Sequence, residues 1–239
     1  MSNSTVLLYR DTVLKISAAD EESRREASVM RWLNGKLPVP DVLHCEEYDG
    51  MLYLVMSRVR GKTLIPDFTD EREPLRVAEL LVDAINMLQD VDISGFGFDS
   101  RLDLKLREAR KNVNEGLVDV EKVEAETFGS GGFASPLHLL EWLERNRPDE
   151  ILSFTHGDLC LPNVFADGYG ICGFIDLGHA GIADAYCDIA LAHRSLRHNF
   201  DGSYGTFVPK FNPDVLFEML GITPDREKLR YYLLLDELF

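Results

Sequence analysis

The chain has 239 residues, 45% of them apolar and 28% charged, enough for one domain or two small lobes around a sizeable core. Acidic side chains outnumber basic ones 41 to 25, and the resulting net charge of −16 argues against nucleic acid or an anionic membrane as partner. A small polycation would be drawn in by such a field, and the same charge would also serve solubility alone. No apolar run is long enough to span a bilayer, and MSNSTVLLYRD lacks a basic-then-apolar signal pattern. Cys45, Cys160, Cys172 and Cys187 are scattered in apolar contexts without metal-ligand spacing, so they read as reduced core residues of a cytoplasmic protein.

Thr5–Tyr9 and Thr12–Ser17 read as short strands meeting at Arg10-Asp11. Lys15 is a lone cation inside the second; it is either an outward-facing surface lysine or one that reaches the phosphates of a nucleotide. A helix follows from about Asp20 to Asn34, with Asp20 as N-cap, Gly35 as stop and Ala27, Met30 and Leu33 on its apolar face. Glu26 is either one more solvated charge or a carboxylate turned toward the sheet and Lys15. Pro38 and Pro40 exclude helix and lead into an extended run, Val42 to Glu46. Tyr48-Asp49-Gly50 turns the chain into MLYLVM (Met51–Met56), which reads as a strand buried on both faces. The polar stretch Ser57–Gly61 then marks a junction, giving a small sheet lobe over residues 1–58 and a second lobe over 59–239.

Beyond the junction helices dominate. Pro74–Val91 has the amphipathic period, Leu102–Val118 is weaker, and Pro136–Asn146 ends before Pro148. Between the last two lie an acid-rich segment with Glu121 and Glu124 and the glycine-rich break 129–132. Ile151–Phe154 reads as a buried strand, Ala183–Phe200 as a helix, and two more helices span about Pro213–Leu220 and Pro224–Leu238.

The stretch FTHGDLCLPNVFADGYGICGFIDLG, residues 154–178, organises the rest. Asp158 and Asn163 stand in the order D-x-x-x-x-N, the spacing by which a kinase catalytic loop sets a base beside an acceptor hydroxyl and an amide on a metal ion. Val164–Ala166 and Ile171–Ile175 form a hairpin around the turn residues 167–170, and this hairpin returns Asp176 beside that loop. Phosphoryl transfer needs this grouping, because the protein mainly positions reactants and neutralises charge. His156 reads as a residue that orients the loop. No G-x-x-x-x-G-K-[ST] is present, which excludes a P-loop enzyme.

HGDLCLPN followed by GFIDLG resembles the aminoglycoside phosphotransferases, antibiotic kinases that share the protein-kinase fold. WLNGKLPVPDVLH, the ADAYCDIA segment and the terminal YYLLLDELF resemble the subgroup acting on the 3′-hydroxyl, so the likeness covers nearly the whole chain. The resemblance implies an α+β, two-lobe kinase-like fold and transfer of the γ-phosphoryl of ATP to an aminoglycoside. It casts Asp158 as the base and Asn163 and Asp176 as ligands of Mg²⁺. It also places Lys15 and Glu26 as the phosphate-binding pair, Ser57 and Val59 at the adenine, and Ser2 (or Ser4) in a loop over the β-phosphate. Asp236, Glu237 and the Phe239 carboxylate, with Glu121 and Glu124 opposite, would bind the polycation; a frayed acidic tail is the other reading. Monomer or weak dimer is expected.

Two departures from the family pattern stand out. The chain starts at the Ser-bearing loop, about one strand and a lead-in helix later than its relatives, judged by ordinary element lengths. His179 follows FIDLG where relatives carry Arg. Two other functions fit the same residues: a kinase for choline or another amino-alcohol, and a catalytically silent, ligand-binding relic of a kinase.

Overall fold

Four short runs of β-branched and apolar residues build the first antiparallel sheet of the computed structural model, which describes residues 4–66, 73–129, 131–204 and 206–239. The strands are β1 (Thr5–Leu8), β2 (Thr12–Ala18), β3 (Val42–Tyr48) and β4 (Met51–Ser57), in the order β1-β2-β4-β3. β4 is not buried on both faces as its composition suggests: Leu52, Leu54 and Met56 are buried, while Met51, Tyr53 and Val55 are half-buried. The physical reason is that helix α1 (Glu21–Leu33) covers one face only. Asp20 caps α1 by accepting from the Ser23 amide at 2.9 Å, and Gly35, at φ +76°, releases the chain afterwards. The helix turns Ala27, Val29, Met30 and Leu33 inward, with Glu26 beside them.

The remainder is mostly helical: α2 (Glu73–Gln89), α3 (Leu102–Glu115), α4 (Pro136–Arg145), α5 (Tyr186–Phe200), α6 (Val215–Leu220) and α7 (Arg226–Asp236). Fully buried Leu81, Ile85, Leu139, Leu140, Leu143, Leu196 and Phe217 bind these helices into one core, each such side chain contributing about 1.5–3 kcal/mol. Two small antiparallel sheets are set against it. One has the order β5-β7-β8, from β5 (Lys62–Thr63), β7 (Val164–Asp167) and β8 (Gly170–Phe174); the other pairs β6 (Leu152–Thr155) with β9 (Gly181–Asp184). The fold is α+β, as expected.

The helix expected over Ala183–Phe200 begins three residues later, because 181–184 form β9. Its cause lies far away in sequence. The buried Asp184 carboxylate accepts from Tyr232 Oη and Lys228 Nζ, both at 2.7 Å and both on α7, which holds this segment extended against β6. β5 was not foreseen, since two residues carry no readable alternation.

Candidate active site

In the β2–β4 register Lys15 lies opposite Leu54, a buried residue, so the lysine points to the face that α1 covers. Its ammonium donates to Glu26 Oε2 and to Asp176 Oδ1, each at 2.8 Å. Burial works against the charged ammonium, but the fields of Glu26 and Asp176 and their hydrogen bonds outweigh it and raise its pKa. Asp176 is also penalised by burial, yet Lys15 brings its pKa below the ordinary value. Lys15 and Asp176 are therefore charged at neutral pH, whereas burial pushes Glu26 upward. Asp176 adopts the left-handed conformation at φ 61°, which Asp tolerates better than most residues. One carboxylate oxygen is on Lys15 and the other remains for a ligand.

The segment carrying Asp158 is fixed from below. Buried Asp188, in the first turn of α5, accepts from the amides of His156 at 2.7 Å and Gly157 at 2.9 Å. Burial raises its pKa to about 7. His156 is fully buried, and that burial lowers its pKa to about 4, so the ring is neutral. Nε2 then donates to the Ile175 carbonyl at 2.9 Å, and Nδ1 accepts from the Asp158 amide at 3.3 Å. This is the orienting role expected of His156. Asn163 spends Nδ2 on the Asp158 carbonyl and on Asp158 Oδ2, both at 3.0 Å. Its Oδ1 is thus the atom available to a cation, and the Ile175 amide bound to the Asn163 carbonyl at 3.0 Å keeps this residue beside Asp176. The Asp158 carboxyl is pushed up to about 6, by burial first and then by Asp236 and Asp176. Cys160 is no nucleophile, since burial and the neighbouring Asp158 hold its thiol far above neutrality.

Two cavities open on Asp158. One, of about 380 Å³, is lined by Lys105, His179, Tyr232, Asp236 and Phe239 among others. The second, of about 610 Å³, includes Ile65, Arg194, His198, Asn199 and Tyr204. Asp236 and Phe239 therefore do reach the site. Contrary to the picture of free anions, however, the acids on this side are already paired. Arg194 bonds Asp236 and lies 3.6 Å from Glu237 Oε1, while Arg197 reaches both Glu124 oxygens at 2.7 Å and His198 stands 3.3 Å from the same carboxylate. Arg194, on α5, resolves the conflict of Asp236 and Glu237 with the negative end of the α7 dipole. His198 and Arg197 hold the Glu124 pKa down at about 2. Glu121 is exposed and lines neither cavity.

The structure places the remaining sites expected from sequence as follows. The Ser57 amide donates to the Asp41 carbonyl at 2.9 Å and its hydroxyl accepts from the Asp41 amide at 2.8 Å, so its N–H is not offered to a base. Val59 packs its side chain against Gly173, where an added Cβ would stand 2.2 Å from Val59 Cγ1. Ser2 lies outside the described residues. Sequence reasoning missed Asp188, Arg194 and Arg197. The last two, three apart on a helix with His198, carry a signal in the helical period; Asp188 was hidden in an apolar run.

Among the described residues no group of three His, Cys, Asp or Glu side chains is placed to hold a metal ion. A two-oxygen set, Asn163 Oδ1 and the second oxygen of Asp176, fits a hard cation that takes its other ligands from phosphates and water, as Mg²⁺ does. No helix among them is long and apolar enough to cross a membrane.

Residues 1–218 match the model of the phosphotransferase enzyme family. The chain is 40% identical over 217 residues to an aminoglycoside 3′-phosphotransferase of Enterococcus faecalis, covering 90% of this chain and 78% of the relative. The crystal structure of a type VIII aminoglycoside-3′-phosphotransferase superposes with a TM-score of 0.83 at 30% identity, over 100% of this chain and 95% of that one. An aminoglycoside phosphotransferase of Streptomyces rimosus in complex with ADP and streptomycin is 26% identical, with a TM-score of 0.78 over 95% of this chain and 86% of that one.

Proposed function

The chain belongs to the phosphotransferase enzyme family, and from that premise we infer that it is an antibiotic kinase, transferring the γ-phosphoryl group of ATP to the 3′-hydroxyl of an aminoglycoside. The observation that carries this reading is the Lys15 ammonium held between Glu26 and Asp176 at 2.8 Å on each side, with Asp158 and Asn163 hydrogen-bonded to each other beside it. In this reading residues 1–58 form the nucleotide-binding lobe, and 59–239 carry the catalytic loop and the acceptor site.

Each side chain then has a role. Lys15 holds the nucleotide's phosphates, and Glu26 keeps it from turning to solvent. Asn163 Oδ1 and Asp176 would hold Mg²⁺, which when bound neutralises charge on the phosphates. Asp158 accepts a hydrogen bond from the acceptor hydroxyl. As the new O–P bond forms and the bond from the γ-phosphorus to the β,γ-bridging oxygen breaks, the hydroxyl proton passes to the Asp158 carboxylate and ADP leaves. With its pKa near 6, that carboxylate is ionised at cytoplasmic pH yet more basic than an ordinary aspartate, as a general base should be. Asp236 and Phe239 line the acceptor cavity; Glu237 and Glu124 support it through Arg194 and Arg197.

The test is ADP formation by the purified chain with ATP, Mg²⁺ and kanamycin, beside a no-antibiotic control and choline, with NMR of the product. Antibiotic-dependent ADP and a phosphate ester at the 3′-oxygen are expected. Turnover of choline without kanamycin would replace the reading with an amino-alcohol kinase, and absence of any nucleotide binding would leave a kinase relic.

A further inference from the structure

Helix α1 grips the turn after Asp176 on two sides. Glu26 acts through Lys15 on Asp176 Oδ1. Its sequence neighbour Arg25 acts on the far end of the same turn, where Nε donates to the Ala180 carbonyl at 2.9 Å. Arg25 Nη2 then reaches Ser100 Oγ at 2.6 Å and the Asp99 carbonyl at 3.3 Å, and the guanidinium carbon lies 5.3 Å from the centre of the Phe98 ring. Between the two anchors runs one short turn, Leu177–His179, closed by the Ala180 amide on the Leu177 carbonyl at 3.2 Å.

The surface between helix and turn has no slack. A Cβ at Gly178 would stand 2.7 Å from Glu22 Cγ, and one at Gly181 would stand 2.1 Å from Ser100 Oγ and 2.7 Å from Arg25 Nη2. Burial lowers the Arg25 pKa, against the pull of Glu108, Glu21 and Asp99. The acceptors of its hydrogen bonds are neutral: two carbonyls and a hydroxyl. A partly buried cation spent on neutral groups is a poor way to gain stability, because an apolar side chain of similar volume often does as well. What a guanidinium supplies here is several donors in fixed directions, hence a defined position for whatever accepts them.

We propose that Arg25 is a positioning residue for Asp176: by holding Ala180 and the 99–100 segment against α1, it sets the turn so that the free Asp176 oxygen faces the cation on the nucleotide's phosphates. This inference rests on the kinase reading above. Arg25 touches neither nucleotide nor acceptor in this account, so its effect is specific to metal-dependent binding.

Calorimetric titration of AMP-PNP into the full chain, once with Mg²⁺ and once with EDTA, separates the possibilities. Arg25→Ala is expected to weaken Mg²⁺-dependent binding by about 10–100-fold, the usual cost of losing a group that orients a metal ligand, with metal-free binding unchanged within about twofold. Arg25→Lys should restore part of the loss, since it keeps one donor for the Ala180 carbonyl. Should Arg25→Ala fail to fold, Ser100→Ala removes one of its acceptors on the opposite wall and should shift the same Mg²⁺-dependent component by a smaller factor. Equal loss with Mg²⁺ and with EDTA, or no loss in either variant, would overturn the proposal. If the unaltered chain bound no AMP-PNP in either buffer, the kinase reading itself would fall, and the proposal with it.

Discussion

The nucleotide side and the acceptor side of the site both gather acidic residues, but they treat charge in opposite ways. On the nucleotide side one ammonium serves two carboxylates, Glu26 and Asp176, and Asp158 accepts from the neutral Asn163 amide. That side keeps a net negative charge, which suits the cation proposed to arrive with the phosphates. On the acceptor side Arg194 covers Asp236 and Glu237, and Arg197 with His198 covers Glu124. The net charge of −16 thus does not translate into a row of free carboxylates waiting for a polycation. Local pairing, and not composition, decides which charges a ligand meets.

Substitutions on the two sides should therefore act differently. Asp158→Asn removes the proton acceptor while preserving shape and the hydrogen bond from Asn163, so turnover should fall by ~10²–10⁴ with nucleotide affinity unchanged. Equal kcat in the variant would remove Asp158 from the chemistry. Lys15→Met takes away the shared cation and strands the buried Glu26. Denaturant unfolding at pH 7 should show a loss of about 3 kcal/mol or more, shrinking at lower pH as Glu26 takes up a proton. A small, pH-independent loss would mean that Lys15 holds nothing together.

On the acceptor side, Arg194→Gln frees two carboxylates, while Asp236→Asn with Glu237→Gln removes them. The first should lower the aminoglycoside KM and steepen its salt dependence; the second should do the reverse, each by about fivefold, roughly 1 kcal/mol for a partly exposed ion pair. Identical KM values in all three proteins would show that these acids serve the fold alone. The smallest effect concerns stability. A carboxylate whose pKa is raised from 3.8 to about 6 by folding destabilises the folded state above pH 6, and this penalty disappears below pH 4, where folded and unfolded chains are both protonated. After discounting for its partial exposure, Asp158→Asn should stabilise the protein by about 1 kcal/mol at pH 8 and by nothing at pH 3.5. A gain at pH 3.5 as large as at pH 8 would point to packing instead of charge.

Most of the nucleotide side was legible in the sequence because its signals are local. A β-branched run put Lys15 on a strand and the family resemblance paired it with Glu26, the cap at Asp20 and the stop at Gly35 framed α1, and the D-x-x-x-x-N spacing with the hairpin brought Asp158, Asn163 and Asp176 together. What escaped depends on partners distant in the chain. β9 is set by Asp184 meeting Lys228 and Tyr232, 44 and 48 residues later. Asp188, which holds the catalytic loop through two backbone amides, looks from sequence like an interruption in an apolar helix. Glu237 and Glu124 read as free acids only until Arg194 and Arg197 are placed on the facing side of α5. The Ser57 amide is likewise engaged by a partner from another element, the Asp41 carbonyl.

The pH dependence of kcat/KM, measured between pH 5 and 8 with saturating Mg²⁺, tests most directly whether the half-buried Asp158 is the base of an aminoglycoside kinase. A one-proton loss of activity is expected on the acid side with a midpoint near pH 6, and it should disappear from the residual activity of Asp158→Asn. A flat profile down to pH 5, or an acid limb that survives in the variant, would contradict it.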